Sequence, residues 1–167
     1  FSLSAAIIFS LRSEVMATST APQRNQRGTY ILVMHNNSRE ATVQVGRLSD
    51  LSLKTGWYLY VGSAFGPGGL MARIERHLRK KKRRHWHIDY LLAKISVQRV
   101  WYLVADRKLE HRWAAALLSQ SGATIAMPGF GASDCSCKSH LLYFRNHTDV
   151  DAACRKLLPQ IWLPNDI

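Results

Sequence analysis

From Gly28 to His35 the chain is β-branched and aromatic, a strand pattern that ends in the turn residues Asn36-Asn37-Ser38. Ala41 to Gly46 then alternates through Thr42, Val43, Gln44 and Val45, which predicts the hairpin partner of that strand. A loop rich in Ser, Asp and Lys leads to Gly56. Trp57 to Ser63 reads as a third strand, with Trp57, Leu59 and Val61 on one face and Tyr58 and Tyr60 on the other. The turn Gly66-Pro67-Gly68-Gly69 opens a helix over about Leu70 to Lys80, in which Leu70, Ile74 and Leu78 recur every fourth residue. Arg73, Arg76 or His77, and Lys80 occupy a neighbouring face of that helix by the i, i+3, i+4 rule. Further along, the pattern predicts a short helix over Ile88 to Lys94, a fourth strand over Val97 to Ala105 and a helix over Leu109 to Ser119. A last strand over Ser139 to Phe144 and a helix over Val150 to Leu158, stopped by Pro159, complete the reading.

At 167 residues and 47% apolar composition the chain supports one domain with a proper core, plus tails. The boundaries expected are a disordered or non-native leader over residues 1–27, the domain over 28–145, and a C-terminal helix and tail over 146–167. The first methionine is Met16, and Leu3 to Phe9 resembles the apolar centre of a signal peptide without a positive leader or a small-residue cleavage site. From Met16 the sequence is small and polar, which predicts a flexible arm. No run reaches the roughly 18 apolar residues needed to span a bilayer, so no membrane partner is expected. Three cysteines, Cys135, Cys137 and Cys154, make no disulfide framework and fit a reducing compartment, the cytoplasm.

Charge narrows the class of partner. The net charge is +12, and between Arg73 and Arg84 eight Lys or Arg face a single acid, Glu75. Such a field favours a polyanion. The run lacks interleaved Leu or Phe anchors, so nucleic acid is favoured over a membrane surface. Candidate nucleic-acid contacts are Arg76, Arg79, Lys80, Lys81, Lys82, Arg83, Arg84, His85 and His87, with Trp86 as a platform for an unpaired base.

The candidate chemistry lies around these residues. Gly28-Thr29-Tyr30, Tyr60-Val61-Gly62-Ser63, Arg73-x3-His77 and Glu110 follow one another in order, and together with blocks such as GWYLYVGSAFGPGGLMARIERHLR and GFGASDCSCKSHL this pattern resembles the GIY-YIG nuclease superfamily over about Gly28 to Phe144. The likeness is strongest to a prokaryotic branch of nucleases, some fused to endonuclease III-type glycosylases. The resemblance implies an α+β fold, with a small, mainly three-stranded antiparallel sheet flanked by helices. It also implies a metal-dependent endonuclease acting on DNA, with repair as the setting. It assigns Tyr30, Tyr60, Arg73 and His77 to catalysis and Glu110 to one Mg²⁺ or Mn²⁺. The first motif reads GTY where the family has GIY, and Ser121 is the candidate for a polar residue that many relatives place after the glutamate.

Phosphodiester hydrolysis gives these residue types reasons of their own. The reaction needs a deprotonated water, a counter-charge for the phosphorane and help for the leaving alkoxide. Tyr30 or Tyr60 would deprotonate or orient the water if nearby cations lowered a phenol pKa near 10. Arg73 offers a planar, permanent charge. A single carboxylate leaves most positions of a Mg²⁺ ion to water and phosphate.

Blander readings compete. Either tyrosine alone fits an ordinary strand aromatic, and Glu110 alone fits a favourable helix start. A binding module that keeps the scaffold and the basic surface without catalysis is the alternative function. The segment Asp134-Cys135-Ser136-Cys137-Lys138-Ser139-His140, taken with His85 and His87, holds enough thiolates and imidazoles for zinc. Its C-x-C-x2-H spacing is tighter than common zinc motifs, so a packing or substrate-positioning loop is expected there and structural zinc is not.

Overall fold

A computed structural model of the chain describes residues 20–157 and 159–164. The expectations for a non-native start and a signal-like Leu3 to Phe9 lie outside the described residues. The architecture is α+β. Among the described residues, six strands form an antiparallel sheet: β1 (Gly28–Val45), β2 (Ser49–Ala64), β3 (Val97–Val104), β4 (Thr124–Ile125), β5 (Leu141–Phe144) and β6 (Gln160–Trp162), in the spatial order β4-β5-β2-β1-β3-β6. The same described residues form the helices α1 (Gly69–Leu78), α2 (His87–Leu91), α3 (Glu110–Leu118) and α4 (His147–Arg155).

The sheet is thus larger than the mainly three-stranded one expected, and its first hairpin is built differently. Asn36-Asn37-Ser38 does not reverse the chain. The Asn36 side chain accepts from the Ser38 N–H (3.3 Å) and donates to the Ser38 and Lys54 carbonyls (3.2 and 3.1 Å), so the turn signal is absorbed by a register shift within one long strand. The reversal comes at residues 46–48, where Gly46 takes φ +51° and the Leu48 N–H bonds to the Val45 carbonyl at 2.9 Å. The stretch expected as a loop before Gly56 is the first half of β2, with Leu51 and Leu53 buried.

Period-two alternation in β1 and β2 feeds two separate cores. Tyr30, Leu32, Met34 and Tyr58 pack with Leu70 and Ile74 of α1 and Ile88 and Leu91 of α2. Ile31, Val33, Leu59 and Val61 pack with Trp113 and Leu117 of α3 and Val150 and Cys154 of α4. Both faces of the central strands are therefore covered, which is why these strands are apolar on both sides.

The described residues that flank the domain, 20–27 and those after 145, are tied in further than composition predicts. Residues 20–27, expected within a flexible arm, dock on the domain: the Tyr102 hydroxyl donates to the Thr20 carbonyl (2.9 Å), and the Gln26 carbonyl accepts from the Leu70 N–H (2.7 Å). At the other end β6 pairs with β3, placing Trp162 opposite Val100, so the segment after 145 belongs to the same sheet. Among the described residues no helix is long and apolar enough to cross a membrane.

Candidate active site

In β1, Tyr30 stands opposite Gly62 of β2 and opposite Tyr102 of β3. A Cβ on residue 62 would meet the Tyr30 hydroxyl at 2.5 Å, so the glycine of the second motif makes room for the tyrosine of the first. One turn of α1 beyond Arg73, His77 closes on the same hydroxyl: Tyr30 Oη and His77 Nε2 lie 2.7 Å apart, both side chains buried. Tyr60 lines the same side, its ring edge-on to His77 at 6.2 Å. Tyr58 faces the same sheet side but is used structurally. Its hydroxyl accepts from the Lys54 N–H (2.7 Å) and donates to the Lys54 carbonyl (3.1 Å). Strand alternation could not choose between the two tyrosines; the structure puts Tyr60 at the site.

Tyr30, Tyr60, Arg73, His77 and Glu110 together line one open cavity of about 390 Å³. Glu110 reaches it because α3 begins there. The buried Thr29 hydroxyl accepts a hydrogen bond from the Leu109 N–H at 3.0 Å, tying the start of α3 to the strand that carries Tyr30. The threonine that departs from the GIY pattern is therefore the residue that anchors the glutamate's helix.

Burial dominates the electrostatics here. It raises the Tyr30 hydroxyl well above its ordinary range, and the neighbouring Tyr60 adds to this, while Arg73 pulls only partly the other way. Tyr60 is pushed up to about 12 by burial against the same arginine. Burial, followed by the charge of Lys82, drives His77 down to about 3. At neutral pH both phenols keep their protons and His77 is uncharged. The expectation that nearby cations would lower a tyrosine pKa is thus reversed, because desolvation outweighs Arg73.

Arg73 lies with its guanidinium carbon 4.3 Å from the centre of the Trp86 ring, and Arg76 lies 3.8 Å from the same ring. Trp86 is therefore a support for arginines. Arg76 is engaged by Asp89, in a two-pronged contact at 3.1 and 3.0 Å. Lys82 donates to two carbonyls in the last turn of α1, those of Arg76 and His77 (3.1 and 2.6 Å), and sits 3.3 Å from Asp89. The backbone N–H groups of His85 and Trp86 also donate to Asp89, at 2.9 and 3.0 Å. Burial alone would raise the Asp89 carboxyl, but these donors together hold it well below the usual range. Asp89 thus shapes the basic segment from within. Arg79, Lys80, Lys81, Arg83, Arg84 and His85 are left on the exposed side.

His85 and His87 line the cavity. His87 Nδ1 accepts from the Gly131 N–H at 3.1 Å, which leaves its Nε2 as the N–H donor. Asp134 and His140 line the cavity too, whereas Ser121 lies in the turn beyond α3 and outside it. Cys135 and Cys137 gather with His140 and with His111, a residue that no sequence motif marks. Lys108 and Ser133 at the cavity rim are likewise unmarked by any motif. His111 has one legible signal, its place beside Glu110. Its separation from the cysteines by more than twenty residues hides the grouping.

The profile of a domain of unknown function, DUF123, matches residues 29–163, running from the first motif to the residue after β6. The chain belongs to that family. No curated protein and no solved structure matches. The DUF123 match spans both sheet edges, so β4, β6 and the cavity residues are all parts of one family unit.

Proposed function

We propose that this DUF123 protein is a metal-dependent endonuclease of the GIY-YIG type, hydrolysing phosphodiester bonds in DNA, with repair as its setting. A DNA substrate goes with a cytoplasmic, nucleoid-associated location. The observation that carries the reading is the convergence of Tyr30, Tyr60, Arg73, His77 and Glu110 on one cavity. These residues come from two strands and two helices, and packing alone gives no reason for that set to meet.

Arg73, with its guanidinium carbon over the Trp86 ring, is suited to brace the non-bridging oxygens of the scissile phosphate. Tyr30 and Tyr60, protonated in the resting site, orient a water by hydrogen bonding, and His77 fixes the position of the Tyr30 hydroxyl through their 2.7 Å contact. The Glu110 carboxylate fits a hard divalent cation. It lines the cavity, its side chain is only 14% exposed, and its charge is felt by both tyrosines. Mg²⁺ or Mn²⁺ held there would supply the charge that stabilises the leaving oxygen. The exposed Arg79, Lys80, Lys81, Arg83 and Arg84 run into the cavity wall at His85 and give a backbone-tracking surface.

The high pKa of both tyrosines favours one other reading, a nucleic-acid-binding module without catalysis. A panel of linear, branched, abasic and single-stranded substrates, assayed for binding and for cleavage with and without Mg²⁺, separates the two. Binding without cleavage on every substrate leaves the module reading alone.

A further inference from the structure

The tip of the loop between β4 and β5 sits beside the cavity without regular structure of its own. Two backbone bonds form its neck, Gly129 N–H to the Lys138 carbonyl and His140 N–H to the Phe130 carbonyl, both 2.8 Å. The His140 carbonyl in turn accepts from the Val61 N–H at 3.0 Å, next to Tyr60 and Gly62. Beyond this neck, Cys135 and Cys137 turn inwards and meet His140 and the first-turn residue of α3, His111. One ligand atom from each of the four lies within 4.8 Å of every other. His111 Nδ1 is 3.1 Å from Cys137 Sγ, and His140 Nε2 is 3.5 Å from Cys135 Sγ.

We propose that Cys135, Cys137, His140 and His111 form a tetrahedral zinc site that fastens this loop to the start of α3. Zinc–sulfur bonds of about 2.3 Å and zinc–nitrogen bonds of about 2.0 Å, set tetrahedrally, separate neighbouring ligand atoms by roughly 3.3–3.8 Å. The two S···N distances lie at that scale. Two soft thiolates with two imidazoles select zinc over Mg²⁺ or Ca²⁺, which take oxygen ligands. Four protein ligands fill the coordination sphere, so the ion is structural. The short C-x-C-x2-H spacing is workable because the fourth ligand comes from a helix rather than from the same loop. His85 and His87 take no part.

The consequence reaches the cavity. The loop carries Ser133 and Asp134 to its wall, and α3 carries Glu110. With Nδ1 given to the metal, His111 keeps its proton on Nε2, which lies 3.6 Å from Glu110 Oε1. A carboxylate facing a metal-bound histidine in this way orients both groups. Zinc would therefore fix the position of Glu110 without touching substrate. The proposal stands whether or not the cavity cuts nucleic acid.

The test is elemental analysis of untagged protein, purified under reductant and without chelator, together with Co²⁺ titration of the metal-free chain. One zinc per chain is expected, along with the intense visible and thiolate charge-transfer bands of tetrahedral Co²⁺. Cys137→Ser and His111→Ala should each bring the zinc ratio close to zero, while His87→Ala keeps it near one. The cobalt spectrum of the wild-type chain decides the matter even where a variant fails to fold. No retained zinc together with only weak octahedral cobalt bands overturns the proposal. So does a Cys135–Cys137 disulfide in the reduced preparation, or zinc undiminished in both ligand variants.

Discussion

The hydroxyl of Thr29 accepts a hydrogen bond from the backbone N–H of Leu109 at 3.0 Å, so the strand that carries Tyr30 also holds the helix that carries Glu110. Two residues remote in sequence are thereby kept on one cavity by a third that does not itself line it. Replacing Thr29 by Val keeps the shape and removes the acceptor. The Leu109 N–H is then left without its partner, at a cost of about 1–3 kcal/mol. Denaturant unfolding should show that decrease, and any cleavage activity should fall further than stability predicts, because the start of the helix that carries Glu110 loses one of its anchors. An unchanged midpoint would mean that the hydrogen bond carries no weight.

His77 predicts acid sensitivity beginning well above the carboxylate range. Its folded pKa, about 3, lies below the ordinary 6.5. Between those values the unfolded chain binds the extra proton, so stability is full above about pH 6.5 and falls as pH drops towards 3. The slope from this group approaches about 1.4 kcal/mol per pH unit. Burial lowers His140 as well, so the His77 share is the difference between wild type and His77→Gln. Parallel stability–pH curves for the two proteins would contradict the assignment.

Asp89 joins Arg76, Lys82 and the backbone of residues 85 and 86, with its own side chain fully buried. Asp89→Asn should cost about 3–5 kcal/mol, the range for breaking a buried ion pair on one side. It should also loosen the 79–86 segment, read as faster amide exchange there. Lys82→Gln should act the same way more weakly, as a stability defect rather than a binding defect.

Neutralising the exposed Arg79, Lys80, Lys81 and Arg83 should leave stability almost unchanged and flatten the dependence of log K on log[salt]. The expected change is about 0.9 in slope for each duplex phosphate that these cations no longer neutralise. Titrations of a duplex at several salt concentrations measure it, and a slope equal to that of wild type would show that this segment faces away from the nucleic acid.

What is legible in the chain depends on how local the cause is. The period-two face of Tyr58 and Tyr60 and the fourfold spacing of Leu70, Ile74 and Leu78 are set by short-range geometry, and both elements appear where the pattern puts them. The Asn36 turn signal misleads because its side chain bonds within the strand and to Lys54, eighteen residues away. β4 and β6 are only two and three residues long, and exist through pairing with β5 and β3. Among site residues, the basic run is plain to see. Its division into exposed cations and two held by Asp89 is not, since that depends on a carboxylate buried by tertiary packing. His111 is hidden for the same reason.

The central claim rests on Glu110 and is tested most directly by cleavage. Wild type and Glu110→Ala, matched for fold by circular dichroism, are incubated with a DNA substrate panel in Mg²⁺ or Mn²⁺ and in chelator. Metal-dependent cutting by wild type is expected, with a rate at least about 100-fold lower in the variant. Equal cutting by the two proteins, or cutting undiminished by chelator, would contradict it.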